Sequence, residues 1–113
     1  MWNSRNKFNA VKVTYDGYKF DSKKECARYV ELSYMLEAKE IEGLEVHPKY
    51  QFVINDIKIC QWTADFSYFR KGEKKRVVED VKSKGTLTRE SRLKHKMFKA
   101  LFPEFELLIT GLD

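Results

Sequence analysis

Three residues have the types and spacing that could do hydrolytic chemistry: Asp65, and then Asp80 and Lys82 two positions apart. Asp65 lies in the strand-like run Trp62–Phe69, and the pair lies in a second run, Arg76–Ser83. Between them Arg70–Lys75, with Gly72 and several charges, reads as a hairpin loop. Strand side chains alternate between faces. Asp80 and Lys82 therefore share one face, and Val77, Glu79 and Val81 the other. Asp65 is expected opposite in face to Trp62, Ala64, Phe66 and Tyr68, the presumed core side. Charges set among apolar strands are costly unless they are paired or hold a metal. Hydrolysis of a phosphodiester needs charge neutralised on the phosphoryl oxygens and a hydroxide-like nucleophile. Two or three carboxylates supply hard oxygen ligands for Mg²⁺, with Mn²⁺ as a substitute. Lys82 is suited to stabilising the attacking water or the developing charge.

The elements that must position these residues follow from patterning. Val11–Tyr15 and Tyr18–Phe20 flank Asp16-Gly17, a strong hairpin signal. Ser22-Lys-Lys-Glu25 fits a capping box, so a helix is expected from there to about residue 39. Tyr29, Leu32 and Leu36 stack below Glu25, and Cys26, Val30 and Ser33 widen that face. Glu25 has two roles open to it, a helix cap and a carboxylate ligand. Gly43 is expected to end the helical region, with 44–54 extended. Strands are expected at 49–54, 57–70 and 76–83, with Asn55-Asp56 as a turn. His47, beside Pro48, reads as a residue that opens a strand rather than a ligand. Thr86-Leu-Thr88 can cap a helix over 89–101 that packs through Leu93, Met97, Ala100 and Leu101, and Phe105–Thr110 is a final strand.

The length of 113 residues suits one domain, 1–113, and 42% hydrophobic residues can fill a core. Residues 1–10 read as a flexible basic arm. The net charge of +5 is clustered: Lys82 to Lys99 holds seven Lys/Arg against the single acid Glu90. Lys84, Arg89, Arg92, Lys96 and Lys99 are the candidate nucleic-acid contacts, the last four forming one helical stripe. Cys26 and Cys60 show no metal-binding spacing and read as reduced, buried thiols. No apolar leader or membrane-length stretch is present, so a soluble, cytoplasmic setting is expected.

With Asp65 and Asp80-Val-Lys82 placed in this order of elements, the chain resembles the PD-(D/E)XK nuclease superfamily over residues 20 to 110. Asn6-Lys-Phe8, Tyr15–Glu25, Ala64-Asp-Phe66 and Val78–Lys82 look closer still to a family of small phage and prophage proteins assigned to that superfamily. These are similar in build to phage Holliday-junction resolvases of the endonuclease I type. The resemblance implies an α+β fold with an αβββαβ core, a mixed sheet and two flanking helices, preceded here by the N-terminal hairpin. It implies that Asp65 is the first acid, at the centre of the second core strand, that Asp80 and Lys82 are the second acid and the lysine, and that Glu25 is the helix carboxylate. Glu25, Asp65 and Asp80 would then be the metal ligands. Ala64 stands where the superfamily often has Pro, and Asp80 where Glu is commoner. Glu79 is one residue away, but only Asp80 shares a face with Lys82.

The expected activity is metal-dependent DNA endonuclease action on duplex or branched DNA in a bacterial host cell. The alternative is a non-catalytic DNA-binding or accessory protein that keeps the fold, and a third reading is an RNA-directed nuclease. A homodimer fits the resemblance, since resolvase-like proteins pair to cut two strands.

Overall fold

Two tight turns set the outline of the chain. Asp16 and Gly17 take left-handed backbone (φ 56° and 84°), as do Asn55 and Asp56 (φ 53° and 64°). Two successive positive φ values match the right-handed twist of strands joined by two residues. In the computed structural model, which describes residues 12–112, these turns close two antiparallel hairpins. The first joins β1 (Val13–Tyr15) to β2 (Tyr18–Phe20), and the second joins β4 (Lys49–Ile54) to β5 (Ile57–Thr63). The expected arm at residues 1–10 lies outside the described residues.

Between the hairpins come α1 (Lys23–Glu37) and β3 (Ile41–Val46). After them come β6 (Phe66–Arg70), β7 (Arg76–Val81), α2 (Arg89–Leu101) and β8 (Phe105–Thr110). The main sheet has the order β3-β6-β7-β8, with β7 and β8 parallel and the other pairs antiparallel. Parallel neighbours need a crossover, and α2 supplies it. The fold is α+β. Its core order, α1-β3-β6-β7-α2-β8, is the expected α-β-β-β-α-β, with the N-terminal hairpin in front and the β4–β5 hairpin inserted between β3 and β6.

Both faces of the sheet are covered. Tyr29 and Leu32 of α1 pack with Phe20, Ile41, Phe66, Tyr68 and Val77. On the other face Phe98 of α2 packs with Val78, and the inserted hairpin adds Phe52 and Trp62, with Ala64 following it. Successive residues Val77 and Val78 thus serve opposite cores, as strand alternation requires.

Several sequence expectations shift. The run 57–70 is two strands, because the chain bends at Ala64-Asp65 as it leaves the inserted hairpin and joins the main sheet. The bend also divides the supposed single face: Trp62 and Ala64 serve the α2 core, Phe66 and Tyr68 the α1 core. The first core strand is β3, not 49–54. Helix α1 ends at Glu37, with Lys39 in left-handed backbone just beyond the cap. Gly43 sits inside β3 at a register shift between Glu42 and Glu45. Its φ is 65°, and its carbonyl accepts from the Arg76 guanidinium at 2.6 Å. Leu36 and Leu93 are exposed, as is Ala100; α2 buries Ser91, His95 and Phe98 instead. Cys26 and Cys60 are free thiols, but half-buried.

Glu79 shows what the α1 face demands of a charge. It is fully buried. Arg28 donates to it twice (Nε to Oε2 2.7 Å, NH2 to Oε1 3.1 Å), and the hydroxyls of Tyr68 and Thr110 donate at 2.7 and 3.0 Å. Burial, together with the bond to Glu79, pushes the Tyr68 phenol up to about 12. Removing one partner of a buried pair is strongly destabilising, somewhat less when the other retains some solvent, as Arg28 does. Glu79→Gln is therefore expected to lower unfolding free energy by roughly 2–4 kcal/mol in urea titrations. An unfolding free energy unchanged from wild type would contradict the burial of this charge.

Candidate metal centre

The ends of three strands and one helix meet at a single edge of the main sheet. The C-terminal ends of β3 and β7 lie beside the start of antiparallel β6, and the N-terminus of α1 faces them. His47 follows β3, Asp65 precedes β6, Asp80 is the last residue but one of β7 and Lys82 follows that strand.

Glu25 caps the helix with one oxygen and turns the other toward His47. Ser22 Oγ accepts from the Glu25 N–H at 3.1 Å, and Glu25 Oε1 accepts from the Asp21 N–H at 2.9 Å, which caps the helix. Oε2 lies 2.9 Å from His47 Nε2. Asp65 stands at the bend before β6 rather than at a strand centre. Its N–H donates to the Glu79 carbonyl at 3.1 Å, and its carbonyl accepts from the His47 N–H at 2.9 Å. Its Oδ2 accepts from the Val81 N–H at 2.6 Å, so the side chain is fixed against β7. Asp80 is buried, and its Oδ2 meets His95 Nε2 at 2.6 Å and Lys82 Nζ at 3.5 Å.

The structure thus brings Glu25, Asp65, Asp80 and Lys82 to one place, and Glu79 faces away from it. Ligand-capable atoms of Glu25, His47 and Asp65 lie within 4.8 Å of one another. Burial pushes the Asp65 carboxyl up to about 10, and the neighbouring Glu25 and Asp80 carboxylates add to the rise. Burial alone would also raise Asp80, but the His95 hydrogen bond and the Lys82 charge carry it below the ordinary range. Crowded, half-dry carboxylates that repel one another fit a divalent cation, which would remove the repulsion. Glu25, Asp65 and Asp80 are the residues that would hold Mg²⁺ or Mn²⁺.

Two histidines belong to this site that sequence reasoning set aside. His47 has left-handed backbone (φ 57°), and its ring packs 5.7 Å from Phe20. Nothing in a lone His-Pro pair signals this, since the turn depends on the inserted hairpin. His95 was legible in principle. Ser91, His95 and Phe98 fall at i, i+4, i+7, a buried face that an apolar-only reading passes over.

Arg89, Arg92, Lys96 and Lys99 are exposed on α2, as is Lys84 before it. Among the described residues none of these five is in an ion pair, whereas Lys94 bonds Glu90 at 3.1 Å. At 100° per residue, Arg92 and Lys99 lie within about 60° of His95 around the helix. The stripe therefore starts beside the imidazole that holds Asp80.

Fold and site together define an α+β protein whose mixed sheet carries a carboxylate, lysine and imidazole cluster at one edge. The chain belongs to the family described as Protein of unknown function (DUF1064), whose model matches residues 5–111. No curated protein and no solved structure matches it. Among the described residues no helix is long and apolar enough to cross a membrane.

The raised Asp65 pKa carries a sign. Between the ordinary carboxylate range and about 10, the folded metal-free protein holds a proton that the unfolded chain has lost. Its contribution to stability is full below the unfolded pKa and is lost as pH climbs through that window, by at most about 1.4 kcal/mol per pH unit. Urea titrations in EDTA should show unfolding free energy falling with pH more steeply in wild type than in Asp65→Asn. Equal slopes in EDTA would contradict the crowding of Asp65.

Proposed function

We propose that this protein is a metal-dependent DNA endonuclease of the bacterial host cytoplasm, acting on duplex or branched DNA. The observation that carries the reading is the convergence of Glu25, Asp65 and the Asp80-Val-Lys82 pair, from three separated stretches of chain, at one sheet edge. The resemblance of these motifs to the PD-(D/E)XK nucleases supports it, as does the unpaired basic stripe on α2.

When bound, a divalent ion supplies charge neutralisation at the phosphoryl oxygens and a water of lowered pKa. The chain's own residues do the rest. Asp65, locked by the Val81 amide, presents a fixed carboxylate. Asp80 is oriented by His95, which leaves its other oxygen free to face the cluster. Lys82 Nζ, beside Asp80, is a mobile cation suited to holding the attacking water or the leaving oxygen. The α2 stripe neutralises backbone phosphates and so draws the duplex along that helix.

Asp65→Asn and Asp80→Asn should each abolish Mg²⁺-dependent cleavage across a panel of linear duplex, single strand, fork, four-way junction and RNA hairpin, while DNA binding survives or tightens. Wild-type inertness on every substrate, with DNA bound, would favour the non-catalytic binding protein, and cleavage of the RNA alone would favour an RNA-directed nuclease.

The stripe is tested separately. Arg92→Gln with Lys96→Gln should weaken DNA binding for every sequence alike. Each phosphate contact contributes roughly 0.9 to the slope of log K against log salt, so the double variant should be shallower by up to about 2. Melting temperature should hardly move, since both side chains are exposed. An unchanged slope and affinity would mean that DNA approaches by another face.

A further inference from the structure

One group in the cluster does not belong to an oxygen-only magnesium site: the His47 imidazole, whose Nε2 lies 2.9 Å from Glu25 Oε2. We propose that His47 is a metal ligand. With Glu25 and Asp65 it forms a mixed nitrogen and oxygen position that favours first-row transition ions as a class over Mg²⁺, Mn²⁺ serving as the probe whose chemistry is nearest to that of Mg²⁺. The proposal rests on the metal-dependent reading above and adds to it the kind of ion that this position takes.

The spacing fits. An octahedron with bonds of about 2.1 Å has edges of about 3 Å, close to the 2.9 Å between the two donor atoms. The third donor, on Asp65, falls within the same 4.8 Å group. The three ligands come from separate elements but are tied together. The His47 N–H donates to the Asp65 carbonyl at 2.9 Å, so these two residues hold a common register. Phe20, fully buried, backs the imidazole at 5.7 Å and limits its rotation. The His47 side chain is 30% exposed. A proton on Nδ1 can therefore meet water, which leaves the Nε2 lone pair for a cation.

His95 provides the contrast. It is buried, its Nε2 is engaged by Asp80 at 2.6 Å, and its ring stands edge-on to Trp62 at 5.7 Å. That is the placement of a group that orients a ligand from behind. The Asp65–Asp80 side thus offers oxygens only, the donor set of Mg²⁺, while the Glu25–Asp65 side adds a nitrogen. Imidazole raises affinity for transition ions and does little for Mg²⁺, which holds oxygen ligands and its own waters.

The test uses calorimetric titration of the full chain with Mn²⁺ alone and with Mg²⁺ alone, without nucleic acid, for wild type, His47→Gln and Asp65→Asn. Wild type should prefer Mn²⁺. His47→Gln should lose about tenfold or more in Mn²⁺ affinity with Mg²⁺ affinity nearly unchanged, and Asp65→Asn should lose both. Mn²⁺ bound equally by wild type and His47→Gln, with Asp65→Asn still defective, would overturn the role of His47 and leave the metal-dependent reading standing. Wild type binding neither ion would overturn both. A second measurement avoids any dependence on the variant's folding: ¹⁵N spectra of wild type titrated with diamagnetic Zn²⁺. The Nε2 resonance of His47 should move as a coordinated nitrogen while that of His95 does not. An unmoved His47 signal at saturating Zn²⁺ would also defeat the proposal.

Discussion

Repulsion between carboxylates is the constraint around which this structure is arranged. Glu25, Asp65 and Asp80 converge where the sheet edge meets the start of α1, and Glu25 and Asp80 are each only 3% exposed. Left alone, such a group would be driven apart or protonated. Asp65 takes the proton, and the acids do not separate because each is held by a donor that cannot easily move: the Asp21 amide on Glu25, the Val81 amide on Asp65, the His95 imidazole on Asp80. Two of these donors are backbone, so the sheet and the helix cap themselves enforce the crowding. The fold keeps the three acids together at the expense of a proton on Asp65, a crowding that a cation would relieve.

Glu79 and Asp80 show how far one residue of register decides a side chain's fate. Glu79 points toward α1 and is closed in by Arg28, Tyr68 and Thr110. All its acceptor capacity goes to those neighbours, and it acts as a buried strut. Asp80 points toward α2 and binds through one oxygen only, Oδ2. The same strand thus carries one acid saturated with partners and another held for use.

How much of this was legible in the sequence follows from which forces are local. The turns at Asp16-Gly17 and Asn55-Asp56, the Ser22 and Thr88 caps, and the face shared by Asp80 and Lys82 all rest on short-range geometry and were readable. The bend at Ala64-Asp65 was not. Apolar residues fall at every second position from Cys60 to Tyr68, straight across the bend, and only the meeting of the inserted hairpin with the main sheet divides them. Gly43 was read as a helix stop because a glycine commonly ends a helix. Its left-handed backbone serves instead to shape β3 around the Arg76 guanidinium, a long-range contact. His47 was read only as a residue that opens a strand for the same reason, since its neighbours Glu25 and Asp65 are 22 and 18 positions away along the chain.

The inserted β4–β5 hairpin leaves the sheet after His47 and returns at Asp65, and its two feet are stitched together by the bonds His47 N–H to Asp65 O and Ala64 N–H to Pro48 O. Because departure and return are adjacent, the excursion is a module: its outer part can be lengthened, trimmed or exchanged without altering how β3 pairs with β6. Its anchor points, however, are Asp65 of the carboxylate cluster and the His47 imidazole beside it, and Trp62 near its base leans on His95. Substitution at the tip, where Ile57 is 63% exposed, is thus mechanically insulated from the chemistry. Substitution at the feet is not. Variation in this hairpin has room to change what the protein touches while leaving intact what the cluster can do.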